Sequence, residues 1–185
     1  MSTLKTNEIK RTDGQSILKN TGSIIQTVVL RSDTKSTLDT TSFSEASSNY
    51  RVTITPTHAD NRIILSYYVM CNTNLAANTL FMMRTEKYTS GSAAAVTSRS
   101  SGYGSNRHNM DFGARPGNGY DGNDQLACHW YSYDDPGSTS QQSYGFTYRR
   151  ESGGSGTMYF GHSSNDINVY GFSNPILITA WEVVQ

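Results

Sequence analysis

Histidines and cysteines are the side chains of this chain that could bind a metal, and their spacing does not favour such a site. The four histidines are far apart in the sequence, at His58, His108, His129 and His162. No pair has the spacing of a helical zinc-protease motif, and no cysteine–histidine cluster has the spacing of a zinc finger. We therefore predict packed or surface histidines, with no metal and no cofactor. Two histidines that met at a symmetry axis could still bind a metal.

The acidic and glycine-rich motifs also fit turns better than catalysis or ion binding. Residues 121–124 (Asp-Gly-Asn-Asp) resemble part of a calcium loop but lack its alternating ligands and distant glutamate. In residues 134–137 (Asp-Asp-Pro-Gly), a turn that begins at Asp135 has proline at its second position and glycine at its third, as a tight turn favours. The Gly-Gly-Ser-Gly at 153–156 has no following Gly-Lys-Ser/Thr, and no serine lies in a Gly-x-Ser-x-Gly motif. We expect a protein that is not an enzyme.

The two cysteines, Cys71 and Cys128, have neither CxxC spacing nor a nearby set of ligands. Cys71 ends an apolar run over 62–71, and Cys128 precedes His129 and Trp130. Buried cysteines of this kind behave as small apolar residues. The N-terminus also lacks the apolar stretch of a secretory signal, so an oxidising compartment is not expected. We predict two free, buried thiols.

Composition indicates a folded, weakly charged protein, either one that associates with copies of itself or a polar all-β domain that happens to balance its charges. Of the 185 residues, 16% are charged, the formal net charge is zero and twelve are tyrosine. A disordered chain would have few aromatic residues and a high net charge, whereas near neutrality favours association. The lysines and arginines are scattered, so no nucleic-acid partner is expected. No apolar run is long enough for membrane insertion.

From Ile24 onward the sequence consists of short segments with the period of β-strands, separated by turn residues. Residues 62–71 and 176–184 are apolar on both faces, which is typical of central strands. Regions 72–79 and 86–92 are predicted loops, and 44–48 is too short for a helix that matters. The predicted strands are 24–31, 50–55, 62–71, 79–84, 93–97, 125–133, 142–150, 157–161, 166–170 and 176–184. This spacing predicts an all-β fold, an antiparallel jelly-roll β-sandwich over residues 24–185.

Residues 1–23 differ from the rest, since they contain isolated apolar side chains in a polar background with a turn at 13–14. Such segments cannot bury a face alone and need a docking surface. We predict an extended N-terminal arm for assembly, the alternative being an ordinary N-terminal strand and hairpin. The candidate assembly residues are Leu4, Ile9, Ile17 and Leu18.

The segment between Ser98 and Asp124 is too long for a plain connection, because loops beyond roughly 12–15 residues are uncommon unless they are functional or disordered. It mixes tyrosine and arginine with serine, glycine and asparagine, the chemistry of an adaptable recognition surface. We predict a recognition loop, and the alternative is a solvated connection with a strand near 109–112. The candidate contact residues are Tyr103, Arg107, His108, Arg115 and Tyr120.

Four motifs in the C-terminal part of the chain occur in one order. They are the Asp-x-Pro-Gly turn at 134–137, the tyrosine-bearing strand at 143–150, the Gly-rich hairpin at 153–156 and the terminal Thr-Ala-Trp-Glu at 179–182. This order resembles the C-terminal jelly-roll modules of structural proteins in tailed bacteriophages, especially marine and cyanobacterial ones. The N-terminal Ser-Thr-Leu-Lys of residues 2–5 is similar to the start of such proteins.

The resemblance implies a C1q/TNF-like jelly roll and a non-enzymatic virion structural protein, assembled in the host cytoplasm. It implies a homotrimer that joins other virion proteins through the arm and acts as a tail-fibre adhesin, with a host surface glycan as a possible partner. The chain lacks the long shaft of fibre proteins, which favours a capsid or collar decoration protein as the alternative. A soluble carbohydrate-binding jelly-roll module is the alternative from another class.

Overall fold

A computed structural model describes residues 21–76, 78–99, 110–115, 125–162 and 175–185. The predicted strand at 166–170 and most of the predicted arm lie outside the described residues. The strands are β1 (Ile24–Ser32), β2 (Ser36–Leu38), β3 (Ser44–Glu45), β4 (Val52–Ile54), β5 (Arg62–Thr73), β6 (Phe81–Thr89), β7 (Ser92–Ala95), β8 (Phe112–Ala114), β9 (Gln125–Asp134), β10 (Gln142–Arg150), β11 (Met158–Phe160) and β12 (Ile176–Val183).

The strands form two antiparallel sheets that pack as a sandwich. In the first sheet, β9 pairs along one edge of β5. Along the other edge, β12 pairs with the first part of β5 and β11 pairs with its end. Strand β1 lies next to β12, and β2 lies next to β11. The second sheet has β10 beside β6, with β3 and β4 along β10 and with β7 and β8 along β6. Along the chain, each strand pair encloses the next: β1–β12 is the outermost pair, followed by β4–β10, then β5–β9, and β6–β7 is the innermost. This nesting is the jelly roll that the sequence predicted.

The core lies between the sheets and is largely aromatic. Tyr67 and Trp130 from the first sheet stack with ring centroids 4.6 Å apart, and Phe146 from the second sheet meets both rings edge-on. Strand β4 shows why the alternation predicts burial, because Val52 and Ile54 are each 1% exposed while Thr53 between them faces solvent. The alternation in residues 50–55 predicts Tyr50, Val52 and Ile54 as the inward positions, and each is 1% exposed.

Two predicted loops are partly strand. Strand β5 continues to Thr73, and β6 continues through the region 86–92 as far as Thr89. The predicted turn follows at once, with positive φ at Ser90 (50°) and Gly91 (86°). The segment 44–48 contains the two-residue strand β3 instead of a helix, and a short 3-10 turn covers Ser48–Tyr50.

Strands β5 and β12 are central, as their apolar composition predicted, but their two faces differ. On β12 the inward side chains Ile176, Ile178 and Ala180 are fully buried, whereas Leu177, Thr179 and Trp181 on the outer face are only half-buried. The outer face of the first sheet therefore keeps part of its apolar surface in contact with solvent.

Candidate interaction surfaces

Of the residues predicted for the recognition loop, the structure describes Arg115 alone. Its guanidinium lies 3.5 Å from the carboxylate of Glu151, and its side chain is 58% exposed. Tyr103, Arg107, His108 and Tyr120 lie outside the described residues. The arm residues Leu4, Ile9, Ile17 and Leu18 also lie outside them, so the role of both groups stays a prediction.

Arg99 and Asp111, which lie on either side of residues 100–109, both form a hydrogen bond with the backbone of Thr85 in β6. The backbone N–H of Thr85 donates to the Asp111 carboxylate (2.6 Å), and the carbonyl of Thr85 accepts from the Arg99 guanidinium. Arg99 also forms an ion pair of 2.8 Å with the buried carboxylate of Glu86. Thr85 lies between the stretch of β6 that pairs with β7 and the stretch that pairs with β8. Two side chains thus fill the gap where this edge of β6, opposite β10, has no neighbouring strand among the described residues.

An exposed aromatic face covers the outside of the first sheet across four strands. Of the five large apolar side chains that are exposed among the described residues, Val29 (59%), Tyr68 (42%) and Tyr131 (62%) lie on this face, and Ile24 lies at its border. Exposed apolar patches of this kind mark interaction sites. The outer aromatic face consists of three rows of register neighbours, Thr27–Trp181–Ile64–Tyr133, Val29–Thr179–Ser66–Tyr131 and Arg31–Leu177–Tyr68–His129.

The charges at the border of the outer aromatic face are already paired within the chain. Arg62 binds Asp135 through two hydrogen bonds of 2.7 and 2.9 Å, and its guanidinium stacks 4.1 Å from the Tyr133 ring. These hydrogen bonds raise the pKa of Arg62, partly offset by its desolvation, and hold it charged. Arg31 pairs with Asp33 at 3.2 Å on the opposite border. A partner of this face would therefore meet aromatic and aliphatic surface with few charges to neutralise.

The residues of the outer aromatic face were not predicted from the sequence to form a site. The signal was present in the alternation of His129, Tyr131 and Tyr133 with the inward-facing Trp130 and Ser132. His129 lies among these aromatics, with its Nε2 3.2 Å from the hydroxyl of Ser66. Because the same alternation fits any half-buried strand, only the sheet order shows that the exposed positions of four strands form one surface.

Two cysteines and one histidine among the described residues are buried in the interior. Cys71 and Cys128 are buried and free, as predicted, with their sulfurs 3.5 Å apart. The contact with Cys128 and burial raise the pKa of the Cys71 thiol, which disfavours the nucleophilic thiolate. His162 is buried against the Tyr159 ring. Within the described ranges no three histidine, cysteine or acidic side chains come together as metal ligands.

Fold and surface together define a jelly-roll domain with an exposed aromatic sheet face. No family model matches this chain, and a search of curated proteins finds no significant match. None of the described residues forms a helix that is long and apolar enough to cross a membrane.

Proposed function

We propose that this protein is a non-enzymatic structural component of a tailed-phage virion, a homotrimer that takes part in host attachment. The observation that carries the assembly is the outer aromatic face. Three tyrosines and a tryptophan lie on it beside aliphatic side chains, its bordering charges are paired internally, and the whole chain has zero net charge. Subunit interfaces are enriched in aromatic side chains and depleted of lysine and acidic residues. The face is suited to packing against further copies of the same chain.

A charge on the outer aromatic face tests the trimer. Tyr131→Arg places a guanidinium at the most exposed aromatic position of the face, where an apolar partner would bury it without a counter-charge. Ala93→Arg is the matched control, because Ala93 is exposed on β7 in the other sheet. By analytical ultracentrifugation at micromolar concentration we expect a trimer for the wild type and the control, and a monomer for Tyr131→Arg. A monomeric wild type would contradict the assembly; a trimeric Tyr131→Arg would exclude this face as the interface.

The virion role rests on the sequence motifs together with the jelly-roll fold, which is compatible with it. Thr179 to Glu182, the terminal motif, lies in the central strand β12, and the Asp-x-Pro-Gly motif forms the β9–β10 turn with positive φ at Gly137 (62°). Mass spectrometry and immunogold labelling of purified virions test the role directly. We expect label at the tail tip; label on the capsid or collar would favour the decoration protein, and absence from virions would contradict both.

A further inference from the structure

A polar groove, distinct from the outer aromatic face, lies at the end of the sandwich that holds the β6–β7 turn. One wall is the end of β6 with Ser90, and the other is the β9–β10 turn with the start of β10. Its volume is about 520 Å³, within the range of roughly 300–1,000 Å³ for small-molecule sites. We name it the serine groove.

Both walls of the serine groove are held in place by local contacts. Gly91 (φ 86°) closes the β6–β7 turn, and Gly137 (φ 62°) lies in the β9–β10 turn. The backbone N–H of Ser140 donates to the Ser138 hydroxyl (3.0 Å), and the Gln142 amide donates to the Ser140 carbonyl (2.8 Å). A preformed wall of this kind reduces the ordering cost of binding a ligand.

The chemistry of the serine groove is neutral and rich in hydroxyl and amide groups. Among the described residues that line it, the one charged side chain is Lys87, which is paired with the buried Asp134 at 3.0 Å and offers no free charge to an anion. By contrast, the side chains of Thr89, Gln141 and Ser143 make no hydrogen bond to the described part of the chain. Each can both donate and accept a hydrogen bond. Together with Pro136 they give a surface that suits a neutral polyhydroxylated ligand.

We propose that the serine groove binds a neutral sugar. Paired donors and acceptors on the walls match the vicinal hydroxyls of a hexose, and the Pro136 ring offers an apolar contact for its C–H face. The inference deepens the proposed function, since it names a ligand class for attachment, and it places binding outside the 98–124 segment. In a trimer, three such grooves would multiply a weak single-site affinity through avidity.

Saturation-transfer NMR on the full chain tests this with glucose, galactose, mannose and N-acetylglucosamine as neutral probes and glucose 1-phosphate as the anionic probe. The test variant is the double substitution Thr89→Val and Gln141→Ala. The matched control is Thr37→Val and Gln125→Ala, the same changes at exposed strand positions outside the groove. We expect transfer to at least one neutral sugar, and a Kd weakened roughly fivefold or more in the test variant alone, from the loss of two hydrogen-bonding groups.

The outcomes separate this inference from the proposed assembly. No transfer to any neutral sugar, equal weakening in both double variants, or stronger transfer to glucose 1-phosphate would each overturn the sugar site. Ultracentrifugation of the same samples reports assembly independently. A trimer without sugar binding would leave the proposed assembly standing, whereas a sugar-binding monomer would support the groove and favour a carbohydrate-binding module outside a virion.

Discussion

Glu182 is a charged residue in the largely apolar strand β12, and its carboxylate connects that strand to other parts of the chain. Its side chain is fully buried, and its Oε1 accepts from Thr57 N–H (2.7 Å), the Thr57 hydroxyl (2.8 Å) and the Asn61 amide (2.7 Å). In the amide orientation that satisfies both partners, Gln26 donates to Oε2 at 3.2 Å. The carboxylate thus joins the 57–61 turn and β1 to the C-terminal strand.

The first prediction concerns the acid stability that Glu182 confers. Burial raises the pKa of this carboxyl, but hydrogen bonds from Asn61, Thr57 and the His58 backbone outweigh that effect, so its pKa lies below the ordinary 4.5. A pKa that is lower in the folded than in the unfolded state stabilises the fold above about pH 4.5, and this stabilisation is lost as the pH falls below it. Glu182→Gln should lower the free energy of unfolding by about 1–3 kcal/mol at pH 7, and by less at pH 3.5.

Urea denaturation at the two pH values measures this difference. Asp33→Asn is the control, because Asp33 belongs to an exposed ion pair and its side chain is 62% exposed. The control should change stability little at either pH. A Glu182→Gln variant with the same loss at pH 7 and pH 3.5 would show that the charge of Glu182 does not matter.

The burial of single side chains was predictable from the sequence where it follows the alternation of inward and outward positions along a strand. It was not predictable where it depends on hydrogen-bond partners that are distant in the sequence. Val52 and Ile54 face the core because every second side chain of a half-buried strand does so. Glu182 is the one charged residue of the apolar segment 176–184, and its partners Thr57 and Asn61 lie more than 120 residues away in the chain. No local pattern indicates that such a buried charge is fully hydrogen-bonded.

At the scale of elements, β6 is the strand whose neighbours change partway along its length. It pairs with β8 near Phe81 and with β7 near Thr89, and Asp111 and Arg99 bind the backbone of Thr85 between these stretches. These side chains take the place of a backbone ladder. They also fix both ends of the route that the chain takes between β7 and β8.

The second prediction tests this gap in the ladder. Asp111→Ala removes the acceptor of the Thr85 N–H and should lower the free energy of unfolding by about 1–3 kcal/mol. Arg115→Ala is the control in the same segment, since it removes only an exposed ion pair worth roughly 0–1 kcal/mol. Thermal and urea unfolding of both variants measure the difference. Equal stability of the two variants would mean that water replaces the Asp111 carboxylate at no cost.

The third prediction concerns Trp181 on the outer aromatic face. A fully buried tryptophan would lose about 3–5 kcal/mol on truncation to alanine, but Trp181 is only half-buried in the single subunit. Trp181→Ala should therefore cost about 2 kcal/mol, roughly half of that range, when unfolding is measured on the monomer. An unchanged melting temperature would mean that the Trp181 side chain gains nothing from its neighbours on the outer face and would contradict its half-buried position.

Strand positions were predictable from turn residues and alternation, but the extent of β6 was not. Glu86 and Lys87 suggested a loop because charged residues seldom fill a strand interior. In the structure Glu86 is 1% exposed and binds Arg84 (2.6 Å) and Arg99 (2.8 Å). The sequence also could not indicate which face of β9 remains uncovered, because that depends on the order of strands in the sheet.

At the scale of the whole molecule, the fourth prediction concerns the arm. The pairing of β1 with β12 continues beyond the strand ends to Ser23 and Gly22. The N–H of Gly22 donates to the carbonyl of Val184 (2.7 Å), and the N–H of Val184 donates to the carbonyl of Ser23 (3.0 Å). Deleting residues 1–20 therefore preserves these contacts. We expect the shortened protein to fold and form trimers by ultracentrifugation but to be missing from particles purified from infected cells.

A second variant keeps the length of the arm but removes its apolar side chains, by replacing Leu4, Ile9, Ile17 and Leu18 with serine. It should fail to join particles in the same way, because the apolar side chains supply the docking energy. Normal incorporation of either variant, measured by mass spectrometry of the particles, would contradict an assembly role for the arm.

The nested strand order also controls when this chain can fold during its synthesis. Strand β12 lies between β1 and β5, so the first sheet is incomplete until residues 176–183 have left the ribosome. Pairing β1 with β12 brings together segments about 150 positions apart, a contact that forms slowly and only after translation of the segment is finished. A chain whose translation stops before Ile176 leaves β1 and β5 without the strand between them. Such a chain cannot complete the first sheet, so the topology makes folding of the sandwich depend on translation through β12.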